Sequence, residues 1–156
     1  MIPARLQPLV DETREVAQRF ADAGFSLYLV GGVVRDAIIG TVGSDMDLDF
    51  TTDALPADIK RIVAGWADSL WTQGERFGTI GFHHHGRAHE VTTHRAEAST
   101  SDSRKPQVAY TTEVEVDLSR RDFTVNAMAL EVTHPEPVLI DPFGGLADLA
   151  AGLLRT

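Results

Sequence analysis

Apolar residues recur along the chain with two different spacings, which predict alternating helices and strands. Stretches with apolar side chains three or four residues apart indicate helices, whereas short runs with every second residue apolar indicate strands. The expected helices are residues 1–25, residues 32–39, a segment beginning at Pro56 and a last segment after Gly145. The expected strands are residues 26–30, 47–51 and 138–140, together with a hairpin over 78–92 that turns near Gly86.

The segments between these elements carry weaker signals. Residues 94–112 are rich in Ser, Thr and charged side chains and are predicted to form a mobile loop. Residues 120–130 have mixed helical character. No apolar run approaches the roughly 18–20 residues that cross a membrane, and the N-terminus lacks the basic-then-apolar order of a signal peptide. The pattern therefore favours a cytoplasmic protein without a membrane partner.

Composition adds three constraints. A length of 156 residues, with 43% hydrophobic and 24% charged residues, corresponds to about one globular domain. The absence of cysteine excludes disulfides and thiolate metal sites, which leaves oxygen and imidazole ligands. The net charge of −9 opposes nucleic-acid binding, because phosphate contacts need Lys and Arg. Either nucleic acid is not a partner or the basic surface lies outside this chain, and helix-compatible sequence up to Thr156 favours the second alternative.

Gly31 and Gly32 stand between a predicted strand and a predicted helix. Glycine lets the backbone approach a ligand closely, and a helix N-terminus offers free N–H groups and a positive dipole to phosphate oxygens. Arg35, near the first turn of the helix, is placed to complete such an anion site. The same pattern suits a plain turn that packs strand against helix, with Arg35 and Asp36 solvated.

Asp47 and Asp49 are two residues apart on a predicted strand, so their carboxylates share one face at a separation of about 6.5–7 Å. Like charges repel and raise each other's pKa unless a cation neutralises them, and Mg²⁺ prefers carboxylate oxygens. A solvent-facing acidic strand edge is the alternative, but the glycine turn just upstream favours a metal site. Glu90 on the hairpin is the candidate third carboxylate, and an exposed strand glutamate fits it equally well.

Arg121 and Asn126 belong to a segment that mixes cations, an acid and an amide with apolar anchors. Arginine can hold a triphosphate through two parallel hydrogen bonds, and the Asn126 amide can bond a ribose hydroxyl. A capped helix start with ion pairs on its outer face is the alternative.

Three consecutive histidines occupy positions 83–85. Because adjacent strand residues point to opposite faces, the three side chains cannot all face one ion. We therefore expect surface histidines rather than a zinc site.

In their order, these motifs resemble the head domain of the bacterial class II tRNA nucleotidyltransferase and poly(A) polymerase family. The resemblance covers essentially residues 26–156. The matching segments are Leu29–Asp36 (LVGGVVRD), Asp47–Thr52 (DLDFTT), Glu90–Arg95 (EVTTHR), Arg120–Ala129 (RRDFTVNAMA) and Asp141–Gly145 (DPFGG). The details are most similar to the CCA-adding branch, which rebuilds the tRNA 3′ end from CTP and ATP without a nucleic-acid template.

The resemblance implies an α/β (α+β) fold, with a polymerase-β-like nucleotidyltransferase head whose small mixed sheet is flanked by helices. The head would cover residues 26–141, after an N-terminal helix over 1–25 and before the start of a connection to a neck domain over 142–156. Asp47 and Asp49 would be catalytic and hold the cofactor Mg²⁺, with Glu90 as the third catalytic carboxylate. The nucleotide-binding residues would be Gly31, Gly32, Arg35, Arg121, Asp122 and Asn126. The implied partners are CTP, ATP and tRNA.

Two features depart from the family pattern. A strict count from the glycines selects Asp45 and Asp47 as the metal-binding pair, whereas the downstream match over 50–53 favours Asp47 and Asp49. The second departure is that the neck that selects CTP or ATP, and the body and tail that hold tRNA, do not appear in this chain.

Three other functions share these motifs: a poly(A) polymerase of the same family, a small-molecule nucleotidyltransferase, and a non-catalytic nucleotide-binding module. The oligomeric state stays open.

Overall fold

The computed structural model describes residues 2–41, 46–96 and 109–156, and this part of the chain contains six α-helices and nine strands. The helices are α1 (Gln7–Glu12), α2 (Arg14–Asp22), α3 (Gly32–Ile39), α4 (Pro56–Val63), α5 (Val114–Ser119) and α6 (Gly145–Ala151). The strands are β1 (Leu27–Val30), β2 (Leu48–Thr52), β3 (Ser69–Trp71), β4 (Thr79–His84), β5 (Arg87–Thr93), β6 (Arg95–Ala96), β7 (Ala109–Tyr110), β8 (Ala129–Glu131) and β9 (Val138–Ile140). Short 3₁₀ turns lie at Ala4–Leu6, Glu75–Phe77 and Thr124–Asn126. Among the described residues, no helix combines the length and the apolar character needed to cross a membrane.

Seven of the strands form one mixed sheet in the order β3-β4-β5-β2-β1-β8-β9. β2 and β5 run parallel, and every other neighbouring pair in this sheet is antiparallel. β6 and β7 form a separate two-stranded sheet. The mixed sheet and its helices confirm the predicted fold class.

The two faces of the large sheet are covered differently. On β2, Leu48 and Phe50 are buried in a large core with residues of α1 to α4, whereas Asp49 between them points to the opposite face. A smaller apolar cluster on that opposite face joins β1 and β8 to α5, and its buried members are Val30, Val114, Leu118, Ala127 and Ala129. The alternation along β2 therefore separates the main core from the face that carries the predicted acidic site.

The helix predicted over residues 1–25 is divided into a 3₁₀ turn, α1 and α2, so the prediction of one helix was wrong. The division between α1 and α2 lies at Thr13, whose buried hydroxyl donates to the Leu9 carbonyl oxygen at 2.7 Å. A side-chain hydrogen bond to the preceding turn competes with the backbone ladder and bends a helix. Gly24, with φ of 87°, follows the segment as expected of a helix stop.

Two later segments also differ from the predictions. Most of the loop predicted over 94–112 lies outside the described residues, and its two flanks pair as β6 and β7. Residues 120–130, predicted to have mixed helical character, contain a 3₁₀ turn and then the start of β8. The apolar run in β8 is short and buried, and periodicity alone does not distinguish such a run from a helix.

The Asp141–Gly145 segment begins α6 and holds it against the 3₁₀ turn that contains Asn126. The Asp141 carboxylate accepts hydrogen bonds from the backbone N–H groups of Gly145 at 2.6 Å and Leu146 at 3.0 Å. A Cβ at Gly145 would lie 2.1 Å from the Thr124 carbonyl oxygen. Only glycine allows the two backbones to approach this closely.

Gly145→Ala should therefore lower the free energy of unfolding by about 3 kcal/mol, because a backbone carbonyl cannot move aside as a flexible side chain can. Gly144→Ala is the matched control. Gly144 has φ of 74° and no atom near its added Cβ, so this change should cost only the roughly 1–2 kcal/mol of the left-handed conformation. Urea denaturation measures both values, and equal losses would contradict the proposed close approach.

Candidate functional site

The predicted carboxylates lie together on the sheet face opposite the main core. Asp49 on β2 and Glu90 on β5 are register partners in the parallel strand pair. Asp47 stands one residue before β2, is exposed to solvent, and lies close enough for its charge to act on Asp49. Asp45, the alternative partner of Asp47, falls outside the described residues.

The environment of Asp49 raises its pKa from 3.8 to about 6. Loss of hydration among the surrounding protein atoms is the largest cause, repulsion from Glu90 and Asp47 adds to it, and the Arg121 charge opposes it. A divalent cation bound by these oxygens would relieve the mutual repulsion. The donor set therefore fits Mg²⁺.

Three arginines line the same pocket as Asp49 and Glu90. The pocket has a volume of about 210 Å³, and Arg95, Arg120 and Arg121 contribute to its lining. Of these, Arg121 was a predicted site residue. Carboxylates and guanidiniums in one small pocket are suited to a ligand that combines a metal ion with phosphate, since the metal takes carboxylate oxygens and phosphate takes guanidinium N–H groups.

A buried carboxylate, Asp117 on α5, holds the side chains of Arg120 and Arg121 and the backbone of Arg95. Its oxygens accept hydrogen bonds from Arg121 Nη2 at 3.0 Å, Arg120 Nη2 at 3.3 Å and the Arg95 backbone N–H at 2.7 Å. Burial alone would raise the pKa of Asp117, but the backbone N–H and the two guanidiniums hold it below its usual value. Asp117 was not among the predicted residues, although it precedes the arginines by three and four positions, the spacing of ion pairs on a helix.

The predicted glycine turn begins α3. Gly31 has φ of 76°, in the region that favours glycine, and Gly32 is the first residue of the helix. The Arg35 guanidinium folds back over this turn, since a Cβ at Gly32 would lie 3.1 Å from Arg35 Nη2. Arg35 Nη1 also donates to Asn126 Oδ1 at 2.8 Å. The structure thus connects the glycine turn directly to a second predicted segment.

Asn126 extends this connection to Asp122. Asn126 Nδ2 donates to Asp122 Oδ1 at 3.4 Å, and the same oxygen accepts the Phe123 backbone N–H at 2.8 Å. Arg35 and Asn126 line a second cavity, of about 330 Å³. Among the described residues, neither Asp49 nor Glu90 lines this cavity. The predicted nucleotide-binding residues therefore form two groups, one beside Asp49 and one at the start of α3, joined by the segment 121–126.

Both the sequence and the fold are similar to those of known nucleotidyltransferases. The sequence profile of the family described as Poly A polymerase head domain matches residues 27–155. A CCA-adding enzyme of Limosilactobacillus fermentum is 37% identical over 155 residues, which are 99% of this chain and 36% of that enzyme. The chain thus spans about a third of the length of the curated relatives it matches.

Solved structures agree with the sequence matches. The crystal structure of the Bacillus stearothermophilus CCA-adding enzyme in complex with CTP superposes with a TM-score of 0.76 at 32% identity, over 99% of this chain and 34% of that one. A tRNA nucleotidyltransferase complexed with a primer tRNA and an incoming ATP analogue gives a TM-score of 0.72 at 33% identity, over 90% of this chain and 38% of that one.

The raised pKa of Asp49 predicts a pH dependence of stability. Between pH 4 and 6 the folded chain holds a proton on Asp49 that the unfolded chain, with a pKa near 3.8, releases. The contribution of Asp49 to the free energy of unfolding therefore falls as pH rises through about 6. Asp49→Asn should become progressively more stable than the unsubstituted chain from pH 4 to pH 7 in metal-free buffer.

Urea denaturation at several pH values measures this difference. His89 acts in the opposite direction, because burial lowers its pKa to about 4 and stability is lost as pH falls toward that value. Since His89 is present in both proteins, its effect cancels in the comparison. Parallel pH profiles for the two proteins would contradict the raised pKa.

Proposed function

The chain belongs to the poly A polymerase head-domain family, and from that membership we propose that it is the catalytic head of a CCA-adding enzyme. The proposed reaction transfers CMP and AMP from CTP and ATP to the 3′ end of tRNA, with release of pyrophosphate. The observation that carries this proposal is the pocket in which Asp49 and Glu90 meet the guanidinium of Arg121. The similarity to enzymes whose structures contain CTP, or tRNA with an ATP analogue, supports it.

We assign the metal-binding role to Asp47 and Asp49, with Glu90 as the neighbouring carboxylate. When bound, Mg²⁺ supplies Lewis-acid activation of the attacking hydroxyl and neutralises charge on the leaving pyrophosphate. The carboxylates themselves orient the reacting groups from a rigid strand pair. Asp49 binds a cation only when its carboxyl group is ionised. Because the pKa of Asp49 is about 6, most Asp49 carboxyl groups are ionised at neutral pH.

The remaining predicted residues hold the nucleotide in this proposal. Arg121, fixed by its ion pair with Asp117, contacts the triphosphate. The backbone N–H groups of the Gly31–Gly32 turn and the Arg35 side chain provide further contacts to phosphate oxygens. The hydrogen-bonded pair of Asn126 and Asp122 faces the ribose. The proposal assigns binding of the tRNA body and selection between CTP and ATP to the part of the matched relatives that this chain does not cover, which is about two-thirds of their length.

The direct test combines the purified chain with Mg²⁺, tRNA lacking its 3′ CCA, and labelled CTP and ATP. We expect Mg²⁺-dependent transfer of nucleotides to the 3′ end, reduced by roughly 100-fold or more in Asp47→Ala and in Asp49→Ala, because each change removes a metal-binding carboxylate. A long A tail would identify a poly(A) polymerase. Mg²⁺-dependent nucleotide binding without transfer would favour a binding module, and unchanged transfer by Asp49→Ala would contradict the metal assignment.

Asp117→Asn tests whether the buried anion positions Arg121 for the nucleotide. The substitution keeps the shape of the side chain but removes the charge that holds two guanidiniums, so the Kd for Mg²⁺-CTP should rise about 10-fold. Asp11→Asn is the matched control, since Asp11 pairs with Arg14 at 2.8 Å on an exposed surface. Isothermal titration gives the Kd values and thermal unfolding verifies the fold. An unchanged Kd in folded Asp117→Asn would refute the positioning role.

A further inference from the structure

A second cluster of potential metal ligands lies where α2 meets the end of β4. The carboxylate of Glu15 and one imidazole nitrogen each from His84 and His85 all lie within 4.8 Å of one another. Within residues 2–41, 46–96 and 109–156, this is the one group of three or more His, Asp or Glu side chains that meets this spacing. His84 shares the sheet face of Phe82, which is opposite the face of Asp49. The cluster is therefore separate from the proposed catalytic pocket.

The backbone at His85 explains how two adjacent histidines reach one point. Strand alternation, which argued against a shared ion, holds only as far as His84, where β4 ends. His85 has φ of 52°, and among the described residues it is the one non-glycine position with positive φ. This turn conformation brings its ring to a centroid distance of 4.0 Å from the ring of His84.

The hydrogen bond of His84 to Trp66 leaves its second ring nitrogen close to Glu15. His84 Nδ1 lies 3.2 Å from the Trp66 carbonyl oxygen. Because a carbonyl oxygen only accepts, Nδ1 is the nitrogen that carries the proton, and Nε2 of the neutral ring presents a lone pair. Nε2 is buried, makes no hydrogen bond within the described part of the chain, and lies 3.4 Å from Glu15 Oε2. A cation bound between these two atoms would take an electron pair from each.

Trp66 holds both of these side chains in place. Its indole ring stacks on His84 with centroids 3.6 Å apart, and its Nε1 donates to Glu15 Oε2 at 3.3 Å. Metal-binding histidines typically donate their second ring N–H to a carbonyl or carboxylate, as His84 does to the Trp66 carbonyl. The supporting contacts of a metal site are thus already formed.

We propose that Glu15, His84 and His85 bind a zinc-class divalent cation. Two imidazoles and one carboxylate suit Zn²⁺, Co²⁺ or Ni²⁺, whereas Mg²⁺ prefers an all-oxygen set. Tetrahedral bonds of about 2.0–2.1 Å place neighbouring ligand atoms about 3.3–3.4 Å apart, which is the separation already present between His84 and Glu15. The exposed His85 closes on the ion, and water takes the fourth position.

Such an ion would join α2 to the β4–β5 hairpin. Glu15 belongs to α2 and both histidines to the end of the hairpin, and the nearby ion pair of Glu12 with Arg87 at 3.4 Å connects α1 to the same hairpin. The expected consequence is a metal-dependent gain in thermal stability. The site is independent of the proposed nucleotidyl transfer and does not require it.

The test is titration of the tag-free, EDTA-treated chain with Zn²⁺ or Co²⁺ in the presence of excess Mg²⁺. We expect one equivalent to bind, with the visible absorption of tetrahedral Co²⁺ and a higher Tm in Zn²⁺. His85→Asn and Glu15→Gln should each weaken binding by about 10–100-fold. Asn tolerates the positive φ at position 85, and Gln can still accept the Trp66 N–H, so both variants should remain folded.

His83→Ala and Asp49→Asn are the controls. His83 belongs to the same histidine run but lies on the opposite face of β4, and Asp49 belongs to the acidic pocket. Both variants should bind Zn²⁺ with unchanged affinity. The proposal is overturned if the unsubstituted chain binds no Zn²⁺, if His85→Asn binds it equally well, or if Asp49→Asn is the variant that loses it.

Discussion

The parallel pairing of β2 with β5 is the constraint on which the candidate site depends. It puts Asp49 beside Glu90 at the strand spacing of about 4.8 Å, while Leu48 and Phe50 enter the main core on the other face. Parallel neighbours cannot be joined by a tight hairpin, so the chain passes from β2 to β5 through α4, β3 and β4. The main core covers one face of this strand pair, and its opposite face carries Asp49 and Glu90.

One buried carboxylate, that of Asp117, organises the charged side chains around Asp49 and Glu90. The chain has a net charge of −9, yet three arginines gather beside Asp49 and Glu90. Asp117 contributes to this, since its buried carboxylate is compensated by Arg120, Arg121 and the Arg95 backbone N–H and in turn orients the guanidiniums of Arg120 and Arg121. A buried charge without such partners would be strongly unfavourable. A local cationic surface therefore does not require an overall excess of Lys and Arg.

The difference between local and tertiary determinants explains what the sequence could predict. Gly40 and Pro56 act within one turn of the chain, so the end of α3 and the start of α4 were predicted correctly. Glu90 on the expected hairpin was the candidate third carboxylate, but its register with Asp49 depends on the parallel pairing of β2 with β5, which the sequence pattern did not predict. The role of Asp117 depends on β6 packing beside α5, which no periodicity encodes. The division of the first helix at Thr13 depends on one side-chain hydrogen bond.

The β4–β5 hairpin connects the two proposed metal sites through its register. Gly81 pairs with Glu90, and His84, three residues further along β4, points to the opposite face. The oxygen ligands and the imidazole ligands are thereby kept on different sides of one sheet, so cations of different preference need not compete. A one-residue slip of β5 would move Glu90 to the core face. An ion that anchors the end of this hairpin to α2 would therefore also oppose the slip that removes Glu90 from the acidic pocket.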